Sequence, residues 1–532
     1  MRRSLRVFFL FLLLSGYVSA RPYAAAQEKD FTGLVRAAKS DDAAAAVLEE
    51  ARDAYFQRND HQGFIGFLEA AVKARRTLAP WQAYYTGLAR YRQMKYLEET
   101  QNWDEYFSKG NDYRKDIEQN LDRAVKAFSA DDPLHVYGKL ILWQHHKDQQ
   151  DVFNEQALAD LMSAVRLYAS GARDIAPLKD VADTLLRYEE RAKAKELYKV
   201  YGDKVISADL SDDELQNIAM SFYKQNNLEV AQALYTVYID RLRKRASPEK
   251  LKLELIDIAR LFSYKRSGAY DLYYAEKIFS LLEEIYTAAG FDESLAYMRA
   301  NNAEKYKDFS RAREMYAAFA ASYPQSARHD EALYKAGILA LYADRDVKAA
   351  DEIFDSLASG EGVSSHVLSS LYQRGLIAQW QGDTARAQEA YSRLTDLAKD
   401  GFAETAAMAK ARMDEIARER PLEFNIKSLL DTTLKPENSQ FSMSRVEITP
   451  SAYSASPQQE IEVSSTAAPP ESGCLQVQLQ YFWSGDMGTG TGDYQSSSFT
   501  TSYSDPGTKV IGVVATTPGG VVDRGLALID IE

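Results

Sequence analysis

The chain has 532 residues, 46% of them hydrophobic and 27% charged, which is enough apolar material for several ordinary cores and excludes a disordered chain. Its formal charge of −13 repels phosphate backbones, so nucleic acid is excluded as an expected partner. The single cysteine, Cys474, has no internal disulfide partner, and folding has to rest on packing.

The chain opens "MRRSLRVFFLFLLLSGYVSA", with Arg2, Arg3 and Arg6, then an apolar run from Val7 to Leu14, then the small residues Ser15, Gly16, Ser19 and Ala20. That order is a secretory signal peptide over residues 1–20, with cleavage after Ala20 or alternatively Ala26. The apolar run is well short of the ~20 residues that span a bilayer, so cleavage is favoured over a permanent anchor. No later stretch is apolar enough to cross a membrane, and no cysteine near the cleavage region offers a lipid attachment. The mature chain is expected to carry a charge of −16 and to be periplasmic or extracellular, free or peripherally associated with an outer membrane.

From about residue 28 to 434, Ala, Leu, Tyr, Glu, Lys and Arg dominate and apolar residues return every three or four positions, which predicts helix after helix. A small residue followed four positions later by an aromatic recurs at Ala194 and Tyr198, Ala231 and Tyr235, Ala275 and Phe279, Ala312 and Tyr316, Ala350 and Phe354, and Ala387 and Tyr391. The steps between these alanines are 37, 44, 37, 38 and 37 residues, a period that chance amphipathicity does not hold. A second small residue precedes each pair, at Ala182, Ala219, Ala259, Ala300, Gly337 and Gly375. Two helices per unit explain it: the first helix carries the upstream small residue, and the second presses its Ala and ring against it across a tight turn. Turn signals stand between them in "QNN" at 225–227, "KD" at 307–308 and "QGD" at 381–383.

These units resemble the tetratricopeptide repeat. In "LYQRGLIAQWQGDTARAQEAY", residues 371–391, Leu371, Gly375, Ala378, Gly382, Ala387 and Tyr391 stand at the repeat's spacing, while Arg374 departs where the family prefers Leu. The copies run about three residues longer than the standard 34, and the third has extra length around "KRSGAYD", 265–271. Over residues 293–394, with "ASYPQSARHDEALYKAG" at the junction, the units are similar to periplasmic repeat proteins of the Tol system and of outer-membrane barrel assembly. Clear copies cover about 175–420; upstream, "QGFIGFLEAA" at 62–71, Ala124 with Phe128, and Gly138 mark degenerate ones, for eight or nine helical pairs in all. The resemblance implies an α-solenoid, a superhelix of helical hairpins, whose first helices turn one position toward a concave groove. Tyr297, Tyr334 and Tyr372 occupy that position, and Tyr264, Tyr342 and Trp380 share another, one turn from the helix end. A row of rings there suits an extended peptide or a glycan; alternatively the tyrosines pack between neighbouring helices.

Past the expected linker "KPENSQ", 435–440, residues 441–532 change to Ser, Thr, Gly and Val. Strands are predicted at 445–448, 460–465, 475–483, 498–503, 509–515 and 526–531, a small antiparallel β-sandwich. With "YFWSGD" at 481–486 and "SYSDPGTKVIGVVA" at 502–515, the segment resembles the PKD-type immunoglobulin-like module.

No motif of fixed catalytic geometry is present: no G-x-S-x-G, H-E-x-x-H, G-x-x-x-x-G-K or C-x-x-C. Of His61, His135, His145, His146, His329 and His366, only two are adjacent, and on a helix they point about 100° apart, so no metal is expected. Asp486 and Asp493 flank a glycine-rich loop that reads either as a calcium loop or, more simply, as a hairpin. Cys474 in "ESGCLQVQ" has no basic neighbour and reads as a small apolar residue at a strand start. Lytic transglycosylases also carry helical solenoids, but here a β module stands where their catalytic domain would. The expectation is a non-enzymatic exported scaffold that binds proteins in a bacterial cell envelope, without cofactor; the alternative is a glycan-binding or polysaccharide-export accessory protein using the aromatic groove and the β-sandwich.

Overall fold

The computed structural model describes residues 29–171, 174–287, 291–360, 362–398, 401–443, 445–467, 478–490 and 495–532. The expected signal peptide, Cys474, Asp493 and the start of the strand at 475 lie outside the described residues. The chain divides into two units, Met1–Phe222 with Glu229–Tyr238, and Tyr223–Leu228 with Ile239–Glu532.

The first unit holds α1 (Phe31–Ala37), α2 (Asp41–Phe56), α3 (His61–Ala74), α4 (Ala79–Glu99), α5 (Trp103–Ala127), α6 (Pro133–Gln149), α7 (Asn154–Gly171), α8 (Ala176–Arg187) and α9 (Arg191–Ser207); α10 (Asp212–Lys224) and α11 (Leu228–Arg245) are divided between the units. The second holds α12 (Pro248–Phe262), α13 (Leu272–Tyr286), α14 (Glu293–Lys305), α15 (Phe309–Ser322), α16 (His329–Tyr342), α17 (Val347–Ala358), α18 (Ser365–Gln381), α19 (Thr384–Leu397), α20 (Ala403–Ala417) and α21 (Phe424–Leu434). Helices pack as hairpins α2–α3, α4–α5, α6–α7 and α8–α9 in the first unit, and α12–α13, α14–α15, α16–α17 and α18–α19 in the second. The architecture is that of tandem TPR-like hairpins, and among the described residues no helix is long and apolar enough to cross a membrane.

One local device recurs at the hairpin turns. The last residue of the turn is left-handed, at Asn59 (φ 55°), Lys307 (φ 67°), Arg345 (φ 62°) and Gly382 (φ 86°). The next residue is an aspartate whose side chain caps the second helix: Asp60 accepts from the Gly63 N–H (2.8 Å), Asp346 from Ala349 (3.0 Å) and Asp383 from Arg386 (3.1 Å). The caps Asp308, Asp346 and Asp383 stand four residues before Ala312, Ala350 and Ala387, whose N–H groups close the first helical turn onto the cap carbonyls at 2.9, 3.0 and 3.0 Å. Cap and small residue are thus one register.

The small residues do what their period implies. Ala194, Ala231, Ala275, Ala312, Ala350 and Ala387 are buried on second helices, and Ala182, Ala219, Ala259 and Ala300 on first helices. At Gly337 a Cβ would lie 2.5 Å from the Phe354 ring, and at Gly375 2.3 Å from the Tyr391 ring, so each ring occupies the volume that a side chain would take.

The C-terminal strands are β1 (Val446–Pro450), β2 (Ser454–Ala455), β3 (Ile461–Ala467), β4 (Gln480–Gly485), β5 (Ser498–Thr501), β6 (Gly507–Thr517) and β7 (Gly520–Ile531), in two sheets of order β1-β3-β5 and β2-β7-β6-β4. Val446, Val463 and Phe499 from one sheet and Trp483, Val513 and Ile529 from the other share one apolar core. One expectation is corrected. The pairing is not wholly antiparallel, because the chain runs straight on from β1 into the edge of the other sheet, and β2 joins β7 in parallel. The stretch 435–440 holds a 3₁₀ turn at Pro436–Asn438, and Arg345 donates to the carbonyls of Asn438 (3.3 Å) and Phe441.

Candidate functional site

The sheet β2-β7-β6-β4 is covered on both faces. Along β6, Ile511, Val513 and Ala515 join the core between the sheets, while Val510 and Val514 alternate with them into the helix core, together with Leu526 and Leu528 of β7. Leu429 of α21 packs so close over Gly512 that a Cβ there would meet it at 2.4 Å. Helices α16, α18 and α21 of the second unit therefore carry the protein's own β module. Every residue from Tyr334 to Tyr342 of α16 is buried, as a helix apolar on all sides must be.

Of the rings expected to line a groove, Tyr297, Tyr334, Tyr342 and Tyr372 are buried, and Tyr264 and Trp380 are partly so. Tyr334 is only 1% exposed, with its ring 5.9 Å from Phe354 and 5.7 Å from His366. Tyr297 packs edge-on to Phe319 at 5.4 Å and donates to Glu331; Tyr372 lies 5.9 Å from Tyr391; Tyr342 is buried and donates to Gln373 Oε1 at 3.0 Å. Trp380 is partly buried and donates through Nε1 to Asp431 of α21 (2.9 Å), and Tyr264 meets Tyr453 of the β module edge-on at 5.9 Å. The physical reason is burial: each ring gains more from neighbouring apolar surface than from water, and rings on α15, α17 and α19 supply that surface to Tyr297, Tyr334 and Tyr372. Asp486, the described half of the expected calcium pair, instead accepts the Val510 N–H at 2.7 Å, and burial pushes its carboxyl pKa up.

Behind the rings lies a cluster of ions that sequence reasoning missed. Lys335 of α16 is buried, with its ammonium 2.8 Å from Asp530 of β7 and 3.1 Å from Glu304 of α14. Lys305 pairs with Glu304 at 2.8 Å and reaches Asp530 at 3.5 Å, while Tyr316 donates to Glu304 (2.8 Å) and Thr508 to Asp530 (3.0 Å). Burial opposes ionisation of Glu304 and Asp530, but the two ammonium groups overrule it and hold both carboxyls below the usual range. Burial likewise opposes the charge on Lys335, and Asp530 and Glu304 overrule it, raising that pKa well above the ordinary lysine value.

Three successive turns add basic struts: Arg266 donates to Ser456 (2.7 Å) and Gln459 (3.0 Å), Lys307 to the Ile448 carbonyl (2.9 Å), and Arg345 as above. Burial lowers Lys307 to a pKa of about 8. Arg524 of β7 is buried with only neutral acceptors, the Tyr342 carbonyl, Thr433 Oγ1 (3.2 Å) and the Phe441 carbonyl (3.5 Å), and burial followed by repulsion from Arg345 lowers it to about 10.

At the rim of this packing a cavity of about 440 Å³ remains open. Its helix side carries Tyr264, Arg266, Asn301 and Arg328, and its strand side Ser454, Thr508 and Glu532. Beside it His366 approaches Thr508 Oγ1 (3.3 Å), and burial lowers its imidazole to a pKa of about 4. Among the described residues no group of three or more His, Cys, Asp or Glu is placed to hold a metal ion.

In the first unit the notable surface is apolar. Trp103 and Phe107, at the start of α5, are 46% and 75% exposed and stack at 6.2 Å, and Val152 and Phe153, between α6 and α7, are 88% and 61% exposed. His145 of α6 lies 3.6 Å from Glu118 of α5, and these helices run antiparallel, so the start of α5 and the end of α6 fall at the same end of the pair. The surrounding first turns are acidic, with Asp104, Glu105 and Glu155.

No family model and no curated protein matches the chain. Among solved structures, the chain is similar to a chain of "Structure of Naa15/Naa10 bound to HypK-THB", at 14% identity and a TM-score of 0.23, covering 75% of this chain and 73% of that one. It is also similar to a "Circular tandem repeat protein with novel repeat topology and enhanced subunit contact surfaces", at 13% identity and a TM-score of 0.12, covering 76% and 93%. Likeness at that level carries no argument, and the repeat assignment rests on the hairpins, caps and ring contacts of this chain.

Proposed function

We propose that the chain is an exported, non-enzymatic scaffold of a bacterial cell envelope that holds a protein partner on the hairpin tips of its first unit. The observation that supports this is the exposure of Trp103, Phe107 and Phe153 at one end of neighbouring hairpins. Large rings left in water at adjoining tips are costly to solvate and are the usual anchors of protein interfaces. The acidic residues beside them favour a partner whose apolar pocket is edged by Lys or Arg. In this reading the C-terminal module, an immunoglobulin-like sandwich, serves the scaffold from within by filling the inner face of the repeats. The chain without residues 1–20 should retain a protein from envelope extracts that the Phe107→Ser/Phe153→Ser variant releases, at an unchanged melting temperature. Identical retention by both would reject the tips as the docking surface.

A further inference from the structure

The hairpin turns of the second unit already hold a length of main chain. Lys307, the left-handed last residue of the turn between α14 and α15, donates to the Ile448 carbonyl of β1 at 2.9 Å. Arg345, at the same place between α16 and α17, donates to the carbonyls of Asn438 (3.3 Å) and Phe441. Carbonyls of one short stretch of chain are thus taken by two successive turns, in each case by the residue directly ahead of a capping aspartate, Asp308 or Asp346.

The first unit repeats the arrangement with neutral side chains. Gln101 (φ 55°) stands directly ahead of Asn102, which caps α5 through the Glu105 N–H at 3.4 Å. Gln150 (φ 53°) stands directly ahead of Asp151, whose carboxylate accepts the Phe153 N–H at 2.9 Å. Both glutamines are exposed, and among the described residues neither side-chain amide makes a hydrogen bond. The two turns share one end of neighbouring hairpins. Asp148, just before Gln150, meets Lys95 Nζ and the Tyr91 hydroxyl of α4, each at 2.9 Å, and Lys95 lies in the last two turns of α4, just before Gln101. Usual helix spacing and rise then put the glutamines on the order of 10–15 Å apart, a gap bridged by about three to five extended residues. Beside them stand the exposed rings, Trp103 just past Gln101 and Phe153 just past Gln150.

Amide and ring side by side discriminate between backbone states. A side-chain amide donates to a carbonyl and accepts from an N–H, so it pairs with a peptide unit without a charge on either side. In a helix or the interior of a sheet those units are already paired with each other. An extended segment has them free, and its side chains alternate, so that every second one can cover the rings.

We infer that the partner of the first unit presents an extended peptide segment, held by its main chain on Gln101 and Gln150 with apolar side chains over Trp103 and Phe153. This rests on the reading of the tips as a docking surface and adds the form of what docks. The acidic residues beside the rings favour Lys or Arg at the intervening positions of the segment.

The test uses the full chain without residues 1–20 and a labelled probe, acetyl-Lys-Leu-Lys-Phe-Lys-Leu-Lys-amide, read by fluorescence anisotropy. A control of the same composition and charge, acetyl-Lys-Lys-Lys-Lys-Leu-Leu-Phe-amide, lacks the alternation and is expected to bind at least about tenfold more weakly. Gln101→Ala/Gln150→Ala should weaken the alternating peptide at least about tenfold, the effect of losing two hydrogen bonds, at an unchanged melting temperature because both side chains are exposed. Absence of peptide binding, equal affinity for the two peptides, or affinity unchanged in the glutamine variant would overturn the inference. In each of those cases, release of an envelope protein by Phe107→Ser/Phe153→Ser would still leave the tips as a docking surface for a folded partner, so the two readings fail separately.

Discussion

At the level of single residues, Tyr334 and Lys335 stand side by side on α16 and their burial decides what substitution does. Tyr334→Ala removes a ring that is 1% exposed, and the cavity left should cost about 3–5 kcal/mol, read as a loss of urea stability. A change of only a few tenths would mean that the ring is not packed as described. Lys335→Met leaves Glu304 and Asp530 short of a cation inside the protein, and breaking a buried pair from one side costs about 3–5 kcal/mol. The same carboxyls set an acid limit. Their folded pKa values lie below the unfolded ones, so their contribution is complete above the unfolded carboxylate range and is lost as pH falls through the folded values. His366 acts at milder pH: its folded pKa of about 4 lies below the ordinary value near 6.5, so between the two the unfolded chain takes up a proton that the folded one refuses. Stability should therefore fall as pH drops from about 6.5 to about 4, and His366→Gln should flatten that slope in equilibrium unfolding, with His61 and His145 of the first unit contributing the remainder.

At the level of the helical hairpin, stability comes from a fixed sequence of left-handed residue, aspartate cap, small residue and ring. Glycine has opposite meanings at different points of it. Gly337→Ala and Gly375→Ala gain helix propensity worth up to about 1 kcal/mol, but their methyl groups collide with Phe354 and Tyr391, both buried, and overpacking costs about 1–3 kcal/mol. Both should be destabilising. Gly110 of α5 has nothing within 4 Å of a built Cβ, so Gly110→Ala should stabilise by about 0.5–1 kcal/mol. The contrast, measured by thermal unfolding of the three variants, separates a glycine needed for close approach from one that only weakens its helix.

For the molecule as a whole, the second unit is layered: repeat helices, then the sheet β2-β7-β6-β4, then the sheet β1-β3-β5. A repeat array leaves a long inner surface to be filled. In this unit the chain fills it with its own sheet, and the open features are the rim cavity there and the aromatic tips of the first unit. Trp103, Phe107 and Phe153 pack against little of their own chain, so replacing Phe107 and Phe153 by serine should leave stability within about 0.5 kcal/mol.

Much of this was legible from residue order. The period of Ala194 through Ala387, the aspartates ahead of the second helices and six of the seven strands follow from local patterning, because each expresses contacts made within some forty residues of chain. What packs against α16 from the β module was not, because it is contributed from far along the chain: Lys335 and Asp530 are 195 residues apart. A signal did exist, since "YKAGILALY" and "KVIGVVA" are apolar almost without interruption, the mark of a helix and a strand buried on every side. Periodicity in one sequence tells which residues leave water, and only the tertiary structure decided that the repeats and the β module leave it against each other.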